Sequence, residues 1–460
     1  MWKKVDLKDL DFFDKWQGNV DAQNFLNYLQ LDSGVIFLTW KAWTWKSTLI
    51  HDVISYYESK WEYPLVFWST WVSALNIWWQ TVHSFFALWI DDPYFKEIQY
   101  YIKDKTTKKF KLKSSKIKQI IKAPFLIIDE ISMLSSNILD SIDFLMRFYL
   151  ALYTKNTDLT KIPFWWKKMI FVWDVYQLPP VKNEKWIEKF DDVYKSERFF
   201  DSNVFSKLVK KDLWHVVSLK QNYRQNGDKV FAEILDRIRQ WDLSSHQLEL
   251  LNSKISHSNS DDEILLSTHR HKVDSENQGK LSELSWNLYS FTSESDGIFP
   301  DYMKRADDIL SLKIWAKVML LTNEPSWYRV NGSIWEVAWF DEEVIYVKIK
   351  WKIYPIAQYT WENIDTVIDD DGKVFENVLG TFTQFPLKLA YAITVHKSQW
   401  MTFDNCRLDI SRVFAGWQAY TALSRARSLS GISLSWKINQ KHLFFDGRIK
   451  EFVDKYMRDY

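Results

Sequence analysis

Residues 39–48, TWKAWTWKST, end in a lysine followed by two hydroxyl residues, an arrangement that could bind phosphate. They follow an apolar stretch and precede a helical one. With glycine in place of Trp40, Trp43 and Trp45 the segment would match GxxxxGK[ST], a loop whose backbone N–H groups converge on phosphate oxygens at a helix N-terminus. Lys46 would then hold the β- and γ-phosphates of a nucleotide, and the Ser47 hydroxyl would bind Mg²⁺. Thr48, the next residue, would also contact the nucleotide.

An acidic pair, Asp129 and Glu130, ends an apolar strand in the segment FLIIDE. A strand-end pair of this kind, about eighty residues after a lysine-serine loop, is typical of the Walker B arrangement. Asp129 would hold Mg²⁺ through water, and Glu130 would orient the water that attacks the γ-phosphate. The two segments together predict nucleoside triphosphate hydrolysis.

Short apolar strands separated by helical stretches must position these residues, and they predict a parallel α/β sheet. The strands are expected at Val35–Thr39, Leu65–Ser69, Phe125–Ile128 and Met169–Val172. The phosphate loop and the acidic pair each follow one of them, at the carboxyl ends where such sheets bind ligands. Alternating strands at Val344–Ile349 and Ile353–Ala357 instead predict a small β-barrel insertion.

Composition narrows the class of protein only slightly. A chain of 460 residues, with 47% hydrophobic and 26% charged residues, predicts two to four globular domains. The net charge of +1 gives no sign of a nucleic-acid binder, although a locally basic channel would be compatible with it. The single cysteine, Cys406, excludes a disulfide within the chain and fits a cytoplasmic location. No apolar run of about 18 residues and no signal-like start is present, so we expect no membrane association.

Further motifs resemble, in order along nearly the whole chain, those of the Pif/RecD-type superfamily 1 DNA helicases. Residues 70–86, TWVSALNIWWQTVHSFF, are similar to the family's motif Ia, and residues 130–134, continuing to Asp140 and Arg147, to its signature after Walker B. Segments similar to motifs III, IV, V and VI follow at 171–180 (FVWDVYQLPP), 219–225 (LKQNYRQ), 390–402 (AYAITVHKSQWMT) and 420–427 (YTALSRAR). A coincidence of this many independent motifs makes the resemblance specific.

The resemblance implies roles for further residues around the nucleotide. Gln177 would sense the γ-phosphate, Tyr223 would lie near the base, and Arg224 would reach the γ-phosphate. Arg425 would be a second arginine finger. Gln23 is placed like an adenine-reading glutamine, and Gln399 would also bind nucleotide. Tyr223 could instead be core packing, and Gln23 could be an ordinary surface residue.

For DNA binding, the resemblance points to residues of motifs Ia and V. These residues are Thr70, His83, His396, Lys397 and Ser398. His83 could instead be a structural histidine. A lysine-dense stretch from Lys103 to Lys122 is either a solvated insertion or an arm that contacts phosphates.

The architecture implied by the resemblance is α/β, with two RecA-like P-loop NTPase domains and ATP between them. The first would span residues 1–214, with the lysine-rich insertion near 88–122. The second would span 215–325 and 376–460, interrupted by an SH3-like β-barrel insertion at 326–375. The expected cofactors are ATP and Mg²⁺. The expected partners are single-stranded DNA and duplex or structured DNA.

The expected function is therefore that of a monomeric, ATP-dependent DNA helicase or translocase in replication, repair or recombination. Telomere maintenance is among the roles of the family. The polarity, 5′ to 3′, is implied by the resemblance alone. Two alternatives remain open: a nucleic-acid-binding protein without ATPase activity, which the tryptophans in the phosphate loop would produce, and a RecD-like subunit of a nuclease complex.

The chain departs from the family almost entirely by one substitution. It has 27 Trp and only 11 Gly, where glycine ordinarily makes up about 7% of residues. Tryptophan stands at family glycine positions 40, 43, 45, 71, 78, 79, 173, 315, 335, 400 and 417, and positions 165, 166 and 241 belong with them. One replacement at so many backbone-critical sites predicts that UGA codons meaning glycine have been written as tryptophan, with Trp361 expected to be genuine. The chain with glycine at these fourteen positions, and with Trp361 unchanged, is called the glycine-restored protein.

Overall fold

The computed structural model divides the chain into two compact units, Met1–Gly227 with Phe445–Tyr460, and Asp228–Phe444. The structure describes residues 16, 19–40, 46–68, 80–86, 88, 112–174, 180, 190, 192–219, 228–240, 242–256, 263–322, 334–341, 343–349, 351–368, 374–398, 401–410, 413, 417–443 and 447–457. Within these ranges no helix is long and apolar enough to span a membrane.

A six-stranded parallel sheet forms the centre of the first unit. Its strands are β1 (Gly34–Trp40), β2 (Leu65–Trp68), β3 (Gln80–Thr81), β4 (Leu126–Asp129), β5 (Lys168–Val172) and β6 (Trp214–Leu219). Their spatial order is β3-β2-β4-β5-β1-β6, and all neighbouring strands are parallel. The four predicted strands are all present and differ by at most one residue at either end. The expected α/β class is confirmed.

Helices cover this sheet and bury both of its faces. They are α1 (Val20–Leu29), α2 (Lys46–Ser59), α3 (Val82–Phe86), α4 (Ser114–Lys122), α5 (Ser136–Thr154) and α6 (Asn203–Lys210). Ile36 and Leu38 join one core cluster with α1 and α2. Phe37 points to the opposite face, where its ring centroid lies 6.0 Å from that of Phe199. Burial on both faces explains why the central strands β1, β4 and β5 are largely apolar.

The carboxyl-terminal part of the lysine-dense stretch is helix α4, which buries Ser115, Ile117 and Ile120. An entirely solvated insertion is therefore the wrong description for residues 114–122, because this amphipathic helix packs on the first unit. Lys116 Nζ lies 5.4 Å from the ring centroid of Phe85. Residues 103–111 lie outside the described residues, so a phosphate-contacting arm there stays a prediction.

The second unit combines a parallel sheet with antiparallel ones. Its strands are β7 (Ile264–Ser267), β8 (Tyr289–Thr292), β9 (Glu294–Gly297), β10 (Ile309–Leu312), β11 (Lys317–Leu320), β12 (Ile334–Phe340), β13 (Val344–Ile349), β14 (Lys352–Ala357), β15 (Tyr359–Ile368), β16 (Val374–Gln384), β17 (Leu387–Leu389), β18 (Ala392–Thr394), β19 (Cys406–Asp409) and β20 (Ile432–Leu434). Its helices are α7 (Lys229–Arg239), α8 (Ser245–Asn252), α9 (Arg270–Glu283) and α10 (Gln418–Leu423). The parallel sheet has the order β18-β7-β19-β20. The thiol of Cys406 is buried there, and burial raises its pKa to about 12.

The predicted insertion is antiparallel β structure, as expected, but its bounds were too narrow. Strands β13 and β14 match the two predicted strands closely. Their sheet has the order β14-β13-β12-β11-β17, so it continues outside residues 326–375: β11 pairs with β12, and β17 pairs with β11. A second sheet, β15-β16-β9, also crosses the predicted limits. The SH3-like barrel form stays a prediction.

The last helix of the chain, α11 (Gly447–Tyr456), belongs to the first unit rather than to the second. Phe452 stacks on Phe200 with ring centroids 4.5 Å apart, and its centroid lies 6.0 Å from that of Phe37. Arg448 donates to the Asp201 carboxylate at 3.1 Å. The predicted assignment of 376–460 to the second domain is therefore wrong for this helix, because its apolar face completes the aromatic core of the first unit.

Candidate functional site

The carboxyl ends of β1, β4 and β5 lie side by side at one edge of the first unit's sheet. Strand β5 is in the middle, since Val172 is in register with both Leu38 and Asp129. Helix α2 begins at Lys46, so Lys46 and Ser47 occupy a first helical turn, where backbone N–H groups without helical partners attract anions. The structure describes only the backbone of Trp40, Lys46 and Ser47. Thr48, next along the helix, is exposed.

The acidic pair lies at this edge, directly after β4. Both residues are buried, and the Glu130 N–H donates to the Asp129 carboxylate at 2.9 Å. Glu130 has φ 55° and ψ 48°, a left-handed conformation that a non-glycine residue rarely adopts. Strained backbone of this kind persists where the surrounding structure holds it, often at functional sites. Two adjacent buried carboxyl groups are hard oxygen ligands that suit Mg²⁺.

Strand β5 continues into Trp173 and Asp174, which are also buried. The Trp173 N–H donates to the carbonyl oxygen of Leu38 at 3.1 Å, which extends the pairing of β5 with β1 toward the phosphate loop. The indole N–H of Trp173 has no hydrogen-bond partner among the described residues. A buried donor without a partner is costly, so the indole is poorly suited to this position.

Asp140 and Arg147 belong to the signature motif, which gives them no role, and both lie on helix α5. Asp140 is buried and accepts hydrogen bonds from the Tyr194 hydroxyl at 3.1 Å and from the backbone N–H groups of Asn203 and Val204 at 3.0 and 2.7 Å. Burial raises the pKa of this carboxyl, and the hydrogen bonds it accepts oppose that rise. Asp140 therefore fixes the start of helix α6 against α5.

Arg147 lies about two turns further along the same helix. It donates twice to Asp143, at 2.9 and 2.7 Å, and once to the Thr160 carbonyl oxygen at 2.9 Å. Asp143 in turn accepts the backbone N–H of Phe164 at 2.7 Å. These bonds fix the segment that enters β5, which ends beside the acidic pair.

Replacing Asp140 with asparagine is expected to lower the free energy of unfolding by about 1–3 kcal/mol, because an amide NH₂ would face donors that now bond to a carboxylate. Urea unfolding of the two proteins measures this difference. Asp158→Asn, an exposed position in the same unit, is the matched control and should change little. An equal, small effect at both positions would show that the Asp140 bonds do not stabilise the fold.

In the second unit, helix α10 ends next to Arg425. The Arg425 guanidinium donates to the Thr421 carbonyl oxygen at 3.1 Å and to the Ser424 hydroxyl at 3.0 Å. Its backbone is held by Phe403, whose N–H donates to the Arg425 carbonyl oxygen at 2.9 Å. The side chain is therefore partly buried and lies on the end of its own helix.

Two residues that no motif singled out, Asp228 at the N-terminal cap of α7 and Arg239 at its end, contact the segment that carries Arg425. One Asp228 carboxylate oxygen caps the helix through the Phe231 N–H at 3.0 Å, and the other accepts the Leu429 N–H at 3.0 Å. At the far end of α7, the Arg239 guanidinium carbon lies 5.9 Å from the ring centroid of Tyr420. An aspartate before an apolar-periodic stretch does predict a helix cap, but its second contact is with a residue 201 positions away.

The candidate DNA-binding residues lie in two different units. His83 lies on α3, and burial lowers its pKa. His396 and Lys397 follow β18 in the second unit, where Lys397 is exposed and His396 is half-buried with a pKa lowered by burial. The Ser398 hydroxyl is fully buried and donates to the Val395 carbonyl oxygen at 2.9 Å. This hydrogen bond stabilises the turn, and the predicted DNA contact of Ser398 stays a prediction.

The other predicted site residues are described incompletely or not at all. Gln23 is exposed in the first turn of α1, which leaves both its interpretations open. Predictions for Trp43, Trp45, Thr70, Gln177, Tyr223, Arg224 and Gln399 lie outside the described residues. Their roles stay predictions.

Comparison with known proteins bears directly on this arrangement. The model of the PIF1-like helicase family matches residues 19–260. The ATP-dependent DNA helicase Pif1 of Campylobacter jejuni is 31% identical over 92% of this chain and 94% of its own length. Its counterpart from Bdellovibrio bacteriovorus is 28% identical over 92% of this chain and 88% of its own. A crystal structure of Bacteroides sp Pif1 with ADP-AlF4 has a TM-score of 0.76, 29% identity, and coverage of 96% of this chain and 97% of that one.

A parallel α/β sheet with a phosphate loop at a helix N-terminus and a strand-end acidic pair defines the class of P-loop nucleoside triphosphatases. The fold has two RecA-like domains, as expected. Within that class, the chain belongs to the PIF1-like helicase family. The family predicted from the motifs is confirmed.

Proposed function

We propose that this protein is a helicase that uses ATP hydrolysis to move along single-stranded DNA and to unwind duplex or structured DNA. The observation that carries the proposal is the buried Asp129–Glu130 pair at the end of β4, separated by β5 alone from β1, the strand that leads to Lys46. Relatives named ATP-dependent DNA helicases support it over nearly the whole chain. Solved structures of Bacteroides Pif1 with ADP-AlF4 and with single-stranded DNA support the two ligand classes.

The nucleotide would be held by the phosphate loop and its neighbours. Lys46 and the first-turn N–H groups of α2 would bind the phosphates, with Ser47 and Asp129 on the metal side. Bound Mg²⁺ neutralises charge on the β- and γ-phosphates. Glu130 would accept a proton from the attacking water and orient it. Gln23, Thr48, Tyr223 and Gln399 would contact the rest of the nucleotide, and Gln177 would contact the γ-phosphate.

Two arginines would complete the reaction. Arg224 and Arg425 would place positive charge on the transferred phosphoryl group in the transition state. Arg425 is suited to this role because two of its hydrogen bonds go to neutral acceptors, the Thr421 carbonyl oxygen and the Ser424 hydroxyl, which a phosphate can replace. Asp228 and Arg239 would keep the segment that carries Arg425 in place.

DNA contacts would come from Thr70, His83, His396 and Lys397. Changing Lys397 to glutamine is expected to weaken binding of single-stranded DNA to a similar degree for all sequences. It should also lower the slope of log affinity against log salt by about 1, because one phosphate contact is lost. Fluorescence anisotropy across a salt series, with glycine-restored protein, measures both quantities.

Lys304→Gln is the matched control for Lys397→Gln. Lys304 lies in the same unit, but its ammonium group already bonds Asp301 at 2.8 Å and Asp308 at 2.9 Å. Its replacement should leave the salt slope unchanged. Equal slopes for Lys397→Gln and the parent protein would show that Lys397 does not contact a phosphate.

The direct test of the proposal is unwinding of tailed duplexes by the glycine-restored protein. ATP-dependent unwinding of duplexes with a 5′ tail is expected, whereas 3′-tailed duplexes should remain paired. Unwinding from the 3′ tail would overturn the polarity, and DNA binding without nucleotide binding would favour the alternative of a binding protein without ATPase activity. Isolation of the native protein with a nuclease partner would favour a RecD-like subunit over an independent, monomeric helicase.

A further inference from the structure

Backbone torsions mark a group of tryptophans that occupy the conformation of glycine. Among the described residues, nine that are not glycine have positive φ, and five of them are tryptophan. These are Trp61, Trp165, Trp166, Trp315 and Trp417, with φ of 62°, 54°, 64°, 68° and 79°. In the left-handed region Cβ crowds a neighbouring carbonyl oxygen, so a bulky residue there is an outlier, whereas glycine adopts it freely.

Trp61 stands at the glycine position of a Schellman motif. Helix α2 ends at Ser59, the Trp61 N–H donates to the Glu58 carbonyl oxygen at 2.9 Å, and the Glu62 N–H donates to the Tyr57 carbonyl oxygen at 2.9 Å. This pair of bonds defines the motif, whose left-handed residue is usually glycine. The indole is 84% exposed, so no burial of the ring compensates for its backbone conformation.

Trp315 stands at the third position of a β-turn. The Ala316 N–H donates to the Lys313 carbonyl oxygen at 3.0 Å, which closes the turn over Ile314 and Trp315. A positive φ at the third residue of a turn is the requirement that glycine normally meets. This tryptophan is 45% exposed.

The remaining three positions repeat the pattern in other settings. Trp165 and Trp166 are consecutive left-handed residues in the turn that precedes β5. Trp417 caps α10, and its carbonyl oxygen accepts the Thr421 N–H at 2.7 Å. Four of the five positions are also among those that the resemblance predicts to be glycine, whereas Trp61 is assigned by its torsion and its cap geometry alone.

We infer that the natural protein has glycine at positions 61, 165, 166, 315 and 417, and that each is encoded by UGA read as glycine. One decoding rule accounts for all five positions. The same rule explains Trp40, Trp43 and Trp45, which stand where the predicted phosphate loop would have glycine. The inference does not rest on the proposed function, because the evidence for it is the backbone geometry of turns and helix caps.

Trp361 shows the opposite behaviour. It lies in the extended strand β15, is buried, and packs on Phe382 with ring centroids 5.7 Å apart. An aromatic ring in a half-buried strand is ordinary β structure. Position 361 should therefore remain tryptophan and be encoded by UGG.

Peptide mass spectrometry of the protein isolated from its source organism, read beside the gene, tests this assignment. Glycine with UGA is expected at the five positions, and tryptophan with UGG at 361. Tryptophan, or UGG codons, at the five positions would overturn the inference. That result would be distinct from failure of the proposed function, which would appear as glycine at these positions in a protein that neither binds nucleotide nor unwinds DNA.

Stability of matched variants of the chain as written gives an independent measurement. Trp61→Gly should raise Tm by about 2–4 °C, whereas Trp61→Ala, which removes the indole but keeps Cβ, should not. Trp436→Gly is the control, since Trp436 is 59% exposed and is not among the residues with positive φ. Equal gains from Trp61→Gly and Trp61→Ala would show that the exposed ring, not the backbone, is responsible, and would overturn the inference at this position.

Discussion

Replacing Arg425 with alanine in the glycine-restored protein is expected to lower the rate of ATP turnover about 10³–10⁵-fold. The loss should fall on kcat, because an arginine finger acts on charge that develops on the phosphoryl group in the transition state. Stability should change little, since Arg425 is only partly buried and its hydrogen bonds to the Thr421 carbonyl oxygen and the Ser424 hydroxyl are local. Steady-state ATPase kinetics, nucleotide affinity and Tm, measured on the same preparations, separate these effects.

Arg427→Ala is the matched control for this experiment. Arg427 lies two residues further along, is exposed, and pairs with the exposed carboxylate of Asp404. Surface pairs of this kind contribute little to stability. Its replacement should leave turnover near that of the parent protein. A loss of less than about tenfold for Arg425→Ala would contradict the arginine-finger assignment, because removal of such a charge costs far more.

Four of the six strands described in the first unit, β1, β2, β4 and β5, could be predicted from the sequence because they are largely buried. Residues such as Ile36 and Phe37 face opposite helical layers, so the run is apolar without a break and its limits are sharp. The edge that carries the acidic pair followed from the same pattern, since parallel strands place their carboxyl ends together. Local pattern was therefore enough for this part of the site.

The domain limits could not be predicted in the same way. Helix α11 returns to the first unit through Phe452, and an amphipathic helix does not record which apolar surface it will cover. Strands β11 and β17 join the antiparallel sheet from either side of the predicted insert, and pairing partners distant in sequence leave no periodicity. Both differences arise from long-range packing.

The hydrogen bonds that hold the site in place also could not be predicted from local sequence pattern. Asp140 was noticed as part of a motif, but its bonds to Asn203 and Val204 depend on where α6 begins. Ser398 matched a DNA-facing motif, yet its hydroxyl is consumed by the Val395 carbonyl oxygen. Motif resemblance gives residue types at family positions, whereas the structure decides which polar atoms are already bonded.

Changing Glu130 to glutamine in the glycine-restored protein is expected to lower kcat about 10²–10⁴-fold, the usual contribution of a general base. Glutamine keeps the volume of the side chain at a position that is buried, so the fold should persist. ATP affinity should also persist, because the metal-side carboxylate of Asp129 remains. Single-turnover hydrolysis, compared with nucleotide affinity, gives the result directly.

The strained backbone of Glu130 provides a second arm of the same test. A left-handed conformation costs a residue other than glycine about 1–2 kcal/mol, and the fold accepts this cost at Glu130 and also at Lys155, the C-cap of α5. Lys155→Gly should therefore raise the free energy of unfolding and leave turnover unchanged, since Lys155 is exposed and distant in sequence from the phosphate loop and the acidic pair. Glu130→Gln should do the reverse, with turnover lost and stability kept. If Glu130→Gln hydrolyses ATP within about threefold of the parent rate, another group must orient the water, because loss of a general base costs at least about 10²-fold.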